Sequence, residues 1–319
     1  FSEDITGVDI SDFVVSTTGV SGTATISTIS GSGSSYTATV SLVGISGATG
    51  TIGLGLASNT SIADSAGNAV EALAPSTNQT YTVDTVAPGA PTVTLTSTDS
   101  GTSGDRVTNV APVIGVTAEA GSTVAVTATK DGNAFTLFTG LSSISGTGSQ
   151  VSWTPLGVPA SGSTGAALAD GVYVFSFTQT DSAANAQTSA STLTVTVDTT
   201  APTSTTVSLT STDSGTSGDR VTNVAPVLGV TAESGATVAV TATKDGSAFT
   251  LNTGLSSVSG TGSAVSWTPL GASGAALADG VYIFSFTQTD SAANVQSTAS
   301  SLTVTVDTSP PTSTTVALT

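Results

Sequence analysis

The 319-residue chain contains no cysteine, no histidine and no methionine, and it carries only four basic side chains against 21 acidic ones. Without cysteine no disulfide can staple a domain, so stability has to come from packing or from bound ions. Without histidine or cysteine the abundant Ser and Thr hydroxyls have no partner that could activate them as nucleophiles. The two lysines, Lys130 and Lys244, each sit in a Lys-Asp-Gly turn, a poor position for a general base. Gly-rich stretches such as Gly31-Ser32-Gly33 lack the lysine and helix start of a phosphate loop. Paired carboxylates can hydrolyse glycosides, but the acids here fall in loops without aromatic platforms for sugar. Enzyme activity is not expected. A net charge of −17 leaves no basic patch to neutralise nucleic-acid phosphates or to meet an anionic membrane surface. No run of 18 apolar residues could span a bilayer, so neither nucleic acid nor membrane insertion is expected.

What is present is small and β-branched. Thr, Ser, Ala, Gly and Val dominate, good helix formers are scarce, and no stretch sustains a 3.6-residue period. The chain reads as all-β. Its segment Val93–Trp153 recurs 114 residues later as Val207–Trp267, with eight of the 61 positions changed. Duplication at this scale marks a protein whose unit is the module and whose variable is length.

Three linkers punctuate the sequence: Val83-Asp84-Thr85-Val86-Ala87-Pro88, Val197-Asp198-Thr199-Thr200-Ala201-Pro202 and Val306-Asp307-Thr308-Ser309-Pro310-Pro311. Each follows an alternating strand and ends in Pro, which stops further pairing. They divide the chain into residues 1–86, 87–200 and 201–309, with 310–319 beginning a further unit. The first repeat is longer by an insertion near Val158–Ser163. Its alternation predicts about seven strands: Val93–Ser97, Val113–Ala118, Thr123–Thr129, Ala134–Phe138, Gln150–Thr154, Val172–Thr180 and Ser191–Val197, the number in an immunoglobulin-like sandwich. Tyr173, Phe175 and Phe177 alternate onto one face, as do Leu193, Val195 and Val197, with Trp153 expected beside them.

Leu168-Ala169-Asp170-Gly171-Val172-Tyr173-Val174-Phe175 resembles the tyrosine corner of immunoglobulin-like domains, with Phe175 where antibody domains keep a Cys, and the second copy repeats it at Asp279, Tyr282 and Phe284. With the loop Asp99 to Asn109 (Asp-x-Gly-x-x-Gly-Asp-x-x-Thr-Asn), Ala118-Glu119-Ala120-Gly121-Ser122, Thr180-Asp181-Ser182-Ala183-Ala184-Asn185 and the Val-Asp-Thr-x-Ala-Pro linker, the modules resemble the bacterial Ig-like domains repeated in giant cell-surface and biofilm adhesins. The resemblance covers residues 91–307 and implies tandem β-sandwiches arranged end to end in an extracellular, non-catalytic extender. The family's usual Gly before the loop Asn is Ala184 here, a departure expected to alter that turn. Residues 1–86 resemble a sister type whose second strand ends at Phe1-Ser2-Glu3, so its first strand is expected to be missing, while Thr312–Thr319 repeats the opening strand Thr203–Thr210. A truncated segment explains this; so does head-to-tail self-association, in which the C-terminal strand of one chain completes the first domain of the next.

The carboxylates are few enough for their positions to be informative. In a seven-stranded sandwich alternate loops share a pole, so Glu119 and the loop of Asp181 and Asn185 should meet the incoming linker residue Asp84. The same set recurs as Asp198, Glu233, Asp290 and Asn294, and the first domain keeps Glu3, Asp64 and Asn68. Two or three carboxylates with an Asn and backbone carbonyls suit a hard cation, Ca²⁺ before any softer metal. Asp99 and Asp105, with Asn109, and their copies Asp213 and Asp219 are expected at the opposite pole, reaching the next junction or forming a second site. The competing reading is that loop Asp and Asn simply make turns, although a Glu in a Gly turn has no evident turn role. Asp170 is assigned to the corner and Asp131 to the hairpin. Three functions are carried forward: a Ca²⁺-stiffened adhesin extender touching its neighbouring domains, a self-assembling filament joined by strand donation, and a carbohydrate-binding module.

Overall fold

The computed structural model describes residues 1–45, 49–58, 61–70, 80–162 and 164–313. The strand expected over Thr312–Thr319 therefore lies, from residue 314 onward, outside the described residues, as does Ser163 of the expected insertion. The described residues are almost entirely β, and no helix among them is long and apolar enough to cross a membrane.

The first block contributes β1 (Ile5–Thr6), β2 (Phe13–Thr18), β3 (Thr23–Ser32), β4 (Ser35–Val43), β5 (Thr49–Leu56), β6 (Ala63–Asp64) and β7 (Thr80–Asp84). β5 is the centre of the sheet β2–β5–β7, β3 and β4 form a long hairpin, and β1 pairs with β6. A single turn of 3-10 helix, Ile10–Asp12, is held by a reciprocal capping box between Asp9 and Asp12. The fully buried Asp12 carboxylate also accepts from Ser61 N (2.7 Å) and Ser61 Oγ (3.1 Å), so it is satisfied by hydrogen bonds. The apolar sides of β4, β5 and β7 do not close on one another. Between them lies a groove of about 680 Å³ lined by residues that include Tyr36, Val40, Leu42, Ile52, Leu54 and Tyr81.

The second block is built from β8 (Thr92–Leu95), β9 (Val107–Thr108), β10 (Ile114–Thr117), β11 (Thr123–Lys130), β12 (Asn133–Phe135), β13 (Ser143–Ser145), β14 (Gln150–Trp153), β15 (Gly171–Thr180) and β16 (Ser191–Val197). One layer runs β14–β10–β8; the other runs β12–β11–β15–β16–β9, with β13 also on β11. The third block repeats both layers with β17 (Thr206–Leu209), β18 (Val221–Thr222), β19 (Leu228–Thr231), β20 (Thr237–Lys244), β21 (Ser247–Phe249), β22 (Ser257–Ser259), β23 (Ala264–Trp267), β24 (Gly280–Thr289) and β25 (Ser300–Val306). Each repeat thus has more strands than the seven expected. β9, parallel to β16, and β13 are too short for a period-2 signal, and β9 lies inside the segment expected to be wholly loop.

The core explains the pattern. In β15 Tyr173, Phe175 and Phe177 are fully buried, and across the ladder Phe175 faces the small Ala128 on one side and Leu193 on the other. Trp153, from the opposite layer, stands edge-on to Phe175 (centroids 5.5 Å) and to Phe177 (5.8 Å). Such pairs contribute about 0.5–1.5 kcal/mol each beyond the area they bury. They bridge the two layers at the place where antibody domains use a disulfide. The hairpin Lys130-Asp131-Gly132-Asn133 forms as expected, with positive φ at Asp131 (49°) and Gly132 (79°), the geometry of a tight two-residue turn. Asp131 also accepts from Val172 N (2.9 Å), tying the hairpin to β15.

The tyrosine corner is present in both repeats: Tyr173 Oη donates to Ala169 O and Tyr282 Oη to Ala278 O, each at 2.8 Å. Replacing Tyr173 by Phe keeps the ring but strands the Ala169 carbonyl. We expect Tyr173→Phe to lower the unfolding free energy by about 0.5–1.5 kcal/mol. Denaturant melts of the single variants and of the Tyr173→Phe/Tyr282→Phe pair should show additive losses, since the two corners share no neighbours.

Candidate functional site: the acidic junctions

Each domain carries the same Asp-to-Asn loop, and in all three it folds alike. Asp181 N donates to Asn185 O (3.0 Å) and Ala184 N to Asp181 O (3.2 Å). The Asp181 carboxylate accepts from Ala183 N (2.9 Å), Asn185 N (2.8 Å) and Asn185 Nδ2 (2.8 Å). Asp64 accepts in the same way from Ala66 N, Asn68 N and Asn68 Nδ2, and Asp290 from Asn294 N and Asn294 Nδ2. The residue before the Asn is left-handed in every case, Gly67 at φ 86°, Ala184 at 68° and Ala293 at 66°. The expectation that Ala184 would alter the turn is therefore corrected. Five hydrogen bonds around Asp181 over-determine the loop and hold Ala in the conformation Gly takes freely.

The loop also reaches the linker, as the spacing predicts. Asn185 Nδ2 donates to Asp84 O at 3.1 Å, and Asn294 Nδ2 donates to Asp198 O at 2.9 Å. One amide thus holds its own loop's carboxylate and the preceding linker's carbonyl together. The Asp84 side chain turns toward Thr49 Oγ1 (2.8 Å) and Val86 N (3.1 Å), and that of Asp198 accepts from Thr200 N (3.2 Å). Glu3 is exposed, two residues ahead of β1, whose Ile5 pairs with Asp64.

Glu233 does have a structural role, contrary to the reading of its turn. Its Oε1 accepts from Thr203 N (2.8 Å) and Thr203 Oγ1 (3.1 Å), clasping the strand that enters the repeat. Its backbone N–H donates to the buried Gln288, whose own amide donates to Thr203 O. In the preceding repeat the residue matching Thr203 is Gly89, and a shallow cleft lined by residues including Gly89, Ala90, Glu119 and Gln179 takes the place of that clasp.

At the opposite pole Asp99 Oδ2 accepts from Gly104 N (2.5 Å) and Asp105 Oδ1 from Val107 N (2.9 Å), while Ser100 Oγ donates to Asn109 Oδ1 (2.8 Å). Asp213, Asp219 and Asn223 repeat the arrangement. Asp99 Oδ1 and Asp213 Oδ1 are buried without a hydrogen-bond partner among the described residues. Asp170, assigned to the corner, does more than that: its carboxylate accepts from Thr199 N (2.9 Å), Thr199 Oγ1 (2.8 Å) and Thr200 Oγ1, fastening the outgoing linker. Asp279 holds Thr308 and Ser309 in the same way.

The electrostatics divide these carboxylates into two groups. Donated hydrogen bonds lower Asp64, Asp181, Asp170 and Asp279, the last to about 2, with the Ser309 and Thr308 hydroxyls as its leading cause. Asp198 goes the other way. Burial raises it, and the charges of Asp290, Asp170 and Glu233 add to the rise against one opposing bond from Thr200 N. Asp290, Asp170 and Glu233 are thus near enough to Asp198 for their charges to act on it. The donors are oxygens suited to a hard cation. Among the described residues, however, no three acidic side chains converge closely enough to form a metal shell, because their oxygens point at loop and linker donors.

Together these features define a class: tandem β-sandwich modules with tyrosine corners and short acidic linkers. The family described as "Bacterial Ig-like domain" matches residues 86–199 and again 200–308. The chain belongs to that family. Among solved structures it is similar to one described as "Crystal structure of tetra-tandem repeat in extending region of large adhesion protein", 20% identical, with a TM-score of 0.34 and covering 95% of this chain and 69% of that one, a likeness too distant to carry an argument. The comparison with curated proteins found no match.

Two outcomes follow from this geometry. Ala184→Gly and Ala293→Gly should each stabilise the protein by roughly 0.5–1 kcal/mol, the relief of left-handed strain exceeding the added unfolded-state entropy; a fall in melting temperature would contradict the loop reading. Because the Asp279 carboxyl is lowered, its stabilisation is present above the ordinary 3.8 and is lost as pH falls toward about 2. Melts of Asp279→Asn against the parent should differ at neutral pH and converge as pH is lowered through that window.

Proposed function

We propose that this chain is a non-catalytic extender segment of a large bacterial surface or secreted adhesin, its domains stacked so as to hold an adhesive part away from the cell. The observation that supports this best is the bond from a loop of each repeat back to the linker that precedes it, Asn185 to Asp84 and Asn294 to Asp198. A chain that only needed separate domains would have no use for a linker gripped at successive junctions. The absence of His and Cys and the engagement of most acids by loop donors favour a mechanical over a chemical role.

We further propose that Ca²⁺ stiffens the junction around Asp198. The charges of Asp290, Asp170 and Glu233 each act on Asp198 there, and a divalent cation would relieve that repulsion. The carboxylates would have to rotate away from their present donors to bind it. Small-angle scattering of the whole chain with Ca²⁺ and with chelator is the test. A smaller spread of dimensions and a higher melting temperature in Ca²⁺, both weakened by Asp198→Asn, are expected; identical curves in the two conditions would refute the cation's part.

The open groove of the first block favours one further reading, assembly of copies by strand donation into an extracellular filament or layer. Its lining from β4, β5 and β7 offers unpaired apolar side chains to an extended strand. Removing Pro311–Thr319 should then abolish any polymers seen in sedimentation, and polymers that survive the deletion would eliminate this reading.

A further inference from the structure

The two repeats contain stretches of identical sequence in different surroundings, which makes each a control for the other. The loop Asp99–Asn109 is identical to Asp213–Asn223, and Asp181–Asn185 is identical to Asp290–Asn294. Identical residues should be equally exposed unless something outside the repeat covers one of them. Ser100 is buried whereas Ser214 is only half-buried, and Asn109 is half-buried whereas Asn223 is exposed. Ala292 is 0% exposed whereas Ala183 is exposed.

The glycines say what does the covering. At Gly101 (φ +72°) a Cβ would overlap the Ser291 carbonyl oxygen and crowd Ala293 N. At Gly215 (φ +76°), in the same loop of the next repeat, nothing among the described residues lies within 4 Å of the corresponding position. The trailing loop of the second block is therefore seated on the leading loop of the third. The residues hidden by that contact are Ser100 and Asn109 on one side and Ala292 on the other.

We propose that Ser100-Gly101 is a docking surface for the Asp-Ser-Ala-Ala-Asn loop of a following domain, that Gly at position 101 determines whether it fits, and that the seat holds without a cation. The partner it takes is a domain whose loop carries a small residue at the position of Ala292 and a left-handed one at Ala293. Only a residue without Cβ lets the two backbones approach this closely. The trailing loop of the third block, with Gly215 open, presents the same surface to a domain bearing such a loop. Ala183, the second block's counterpart of Ala292, is exposed. Among the described residues, no loop is therefore seated on Ala183 at the junction before the second block. The described residues thus hold one seated joint and one unseated.

The absence of cysteine allows a clean test on the whole chain. Thr127 and Thr241 are exposed, equivalent positions on β11 and β20. Spin labels on Thr127→Cys and Thr241→Cys report the distance between the two repeats, measured in chelator. The parent should give a narrow distribution, Gly101→Ala a broad one, and Gly215→Ala the parent's. Gly215→Ala carries the same left-handed strain, so it separates loss of the seat from loss of folding. Ala292→Gln should broaden the distribution in the same way while Ala183→Gln leaves it unchanged. A Gly101→Ala distribution as narrow as the parent's would overturn the proposal. So would a parent distribution already broad in chelator and narrowed by Ca²⁺, an outcome that would leave the cation reading standing alone.

Discussion

Everything in the two repeats depends on the contact between Trp153 of one layer and the Phe175–Phe177 pair of the other, and on its copy at Trp267. A sandwich of short Thr- and Val-rich strands has little apolar volume, and this chain has no disulfide to close it. The edge-on Trp–Phe contacts fix how the layers sit on each other. That placement puts the Tyr173 ring where its hydroxyl meets Ala169 O, which in turn sets the start of β15 and the position of Asp170. Because Asp170 then grips Thr199 and Thr200, the core reaches the outgoing linker through one short run of sequence. The link from aromatic packing to domain spacing thus runs through ring contacts and hydrogen bonds that all meet in the run from Ala169 to Phe177.

The acids divide into those that shape the chain and those that load it with charge. Asp64, Asp181, Asp170 and Asp279 are surrounded by N–H and O–H donors, which hold their carboxyls low and make them turn and linker residues. Asp198 is the exception, since burial and three like charges raise it. A carboxylate with more neighbours of its own sign than donors is the place where a cation or a proton changes the energy of the joint. The two readings of loop Asp residues, turn-maker and ligand, are thus not exclusive: different members of the same acidic cluster fall on different sides.

Much of this was legible in the sequence because it is periodic or local. Alternation located β10, β11, β14, β15 and β16, and the Ala-Asp-Gly-Val-Tyr run announced the corner. The convergence of Asn185 with Asp84 followed from counting loops to one pole. What escaped was short or distant. β9 has two residues and β13 three, below the length at which alternation means anything. The role of Glu233 depends on Thr203, thirty residues away and replaced by Gly89 in the other copy, so the pattern seen at Glu119 could not reveal it. Ala184 misled because a residue scale prices αL by side chain alone, whereas here the hydrogen bonds of Asp181 decide.

Near-identity between the repeats has a physical consequence beyond economy of sequence. If every block were the same and every joint seated, the array would bend or stay straight as one body. At the junction between the first block and the second, the Asp-to-Asn loop is present but its Ala183 is left uncovered among the described residues. The linker grip survives there, Asn185 on Asp84, but the backbone seat does not. On the proposal of a backbone seat, junction stiffness is set by which loops adjoin, and a sequence can place its hinges by choosing the order of its domains.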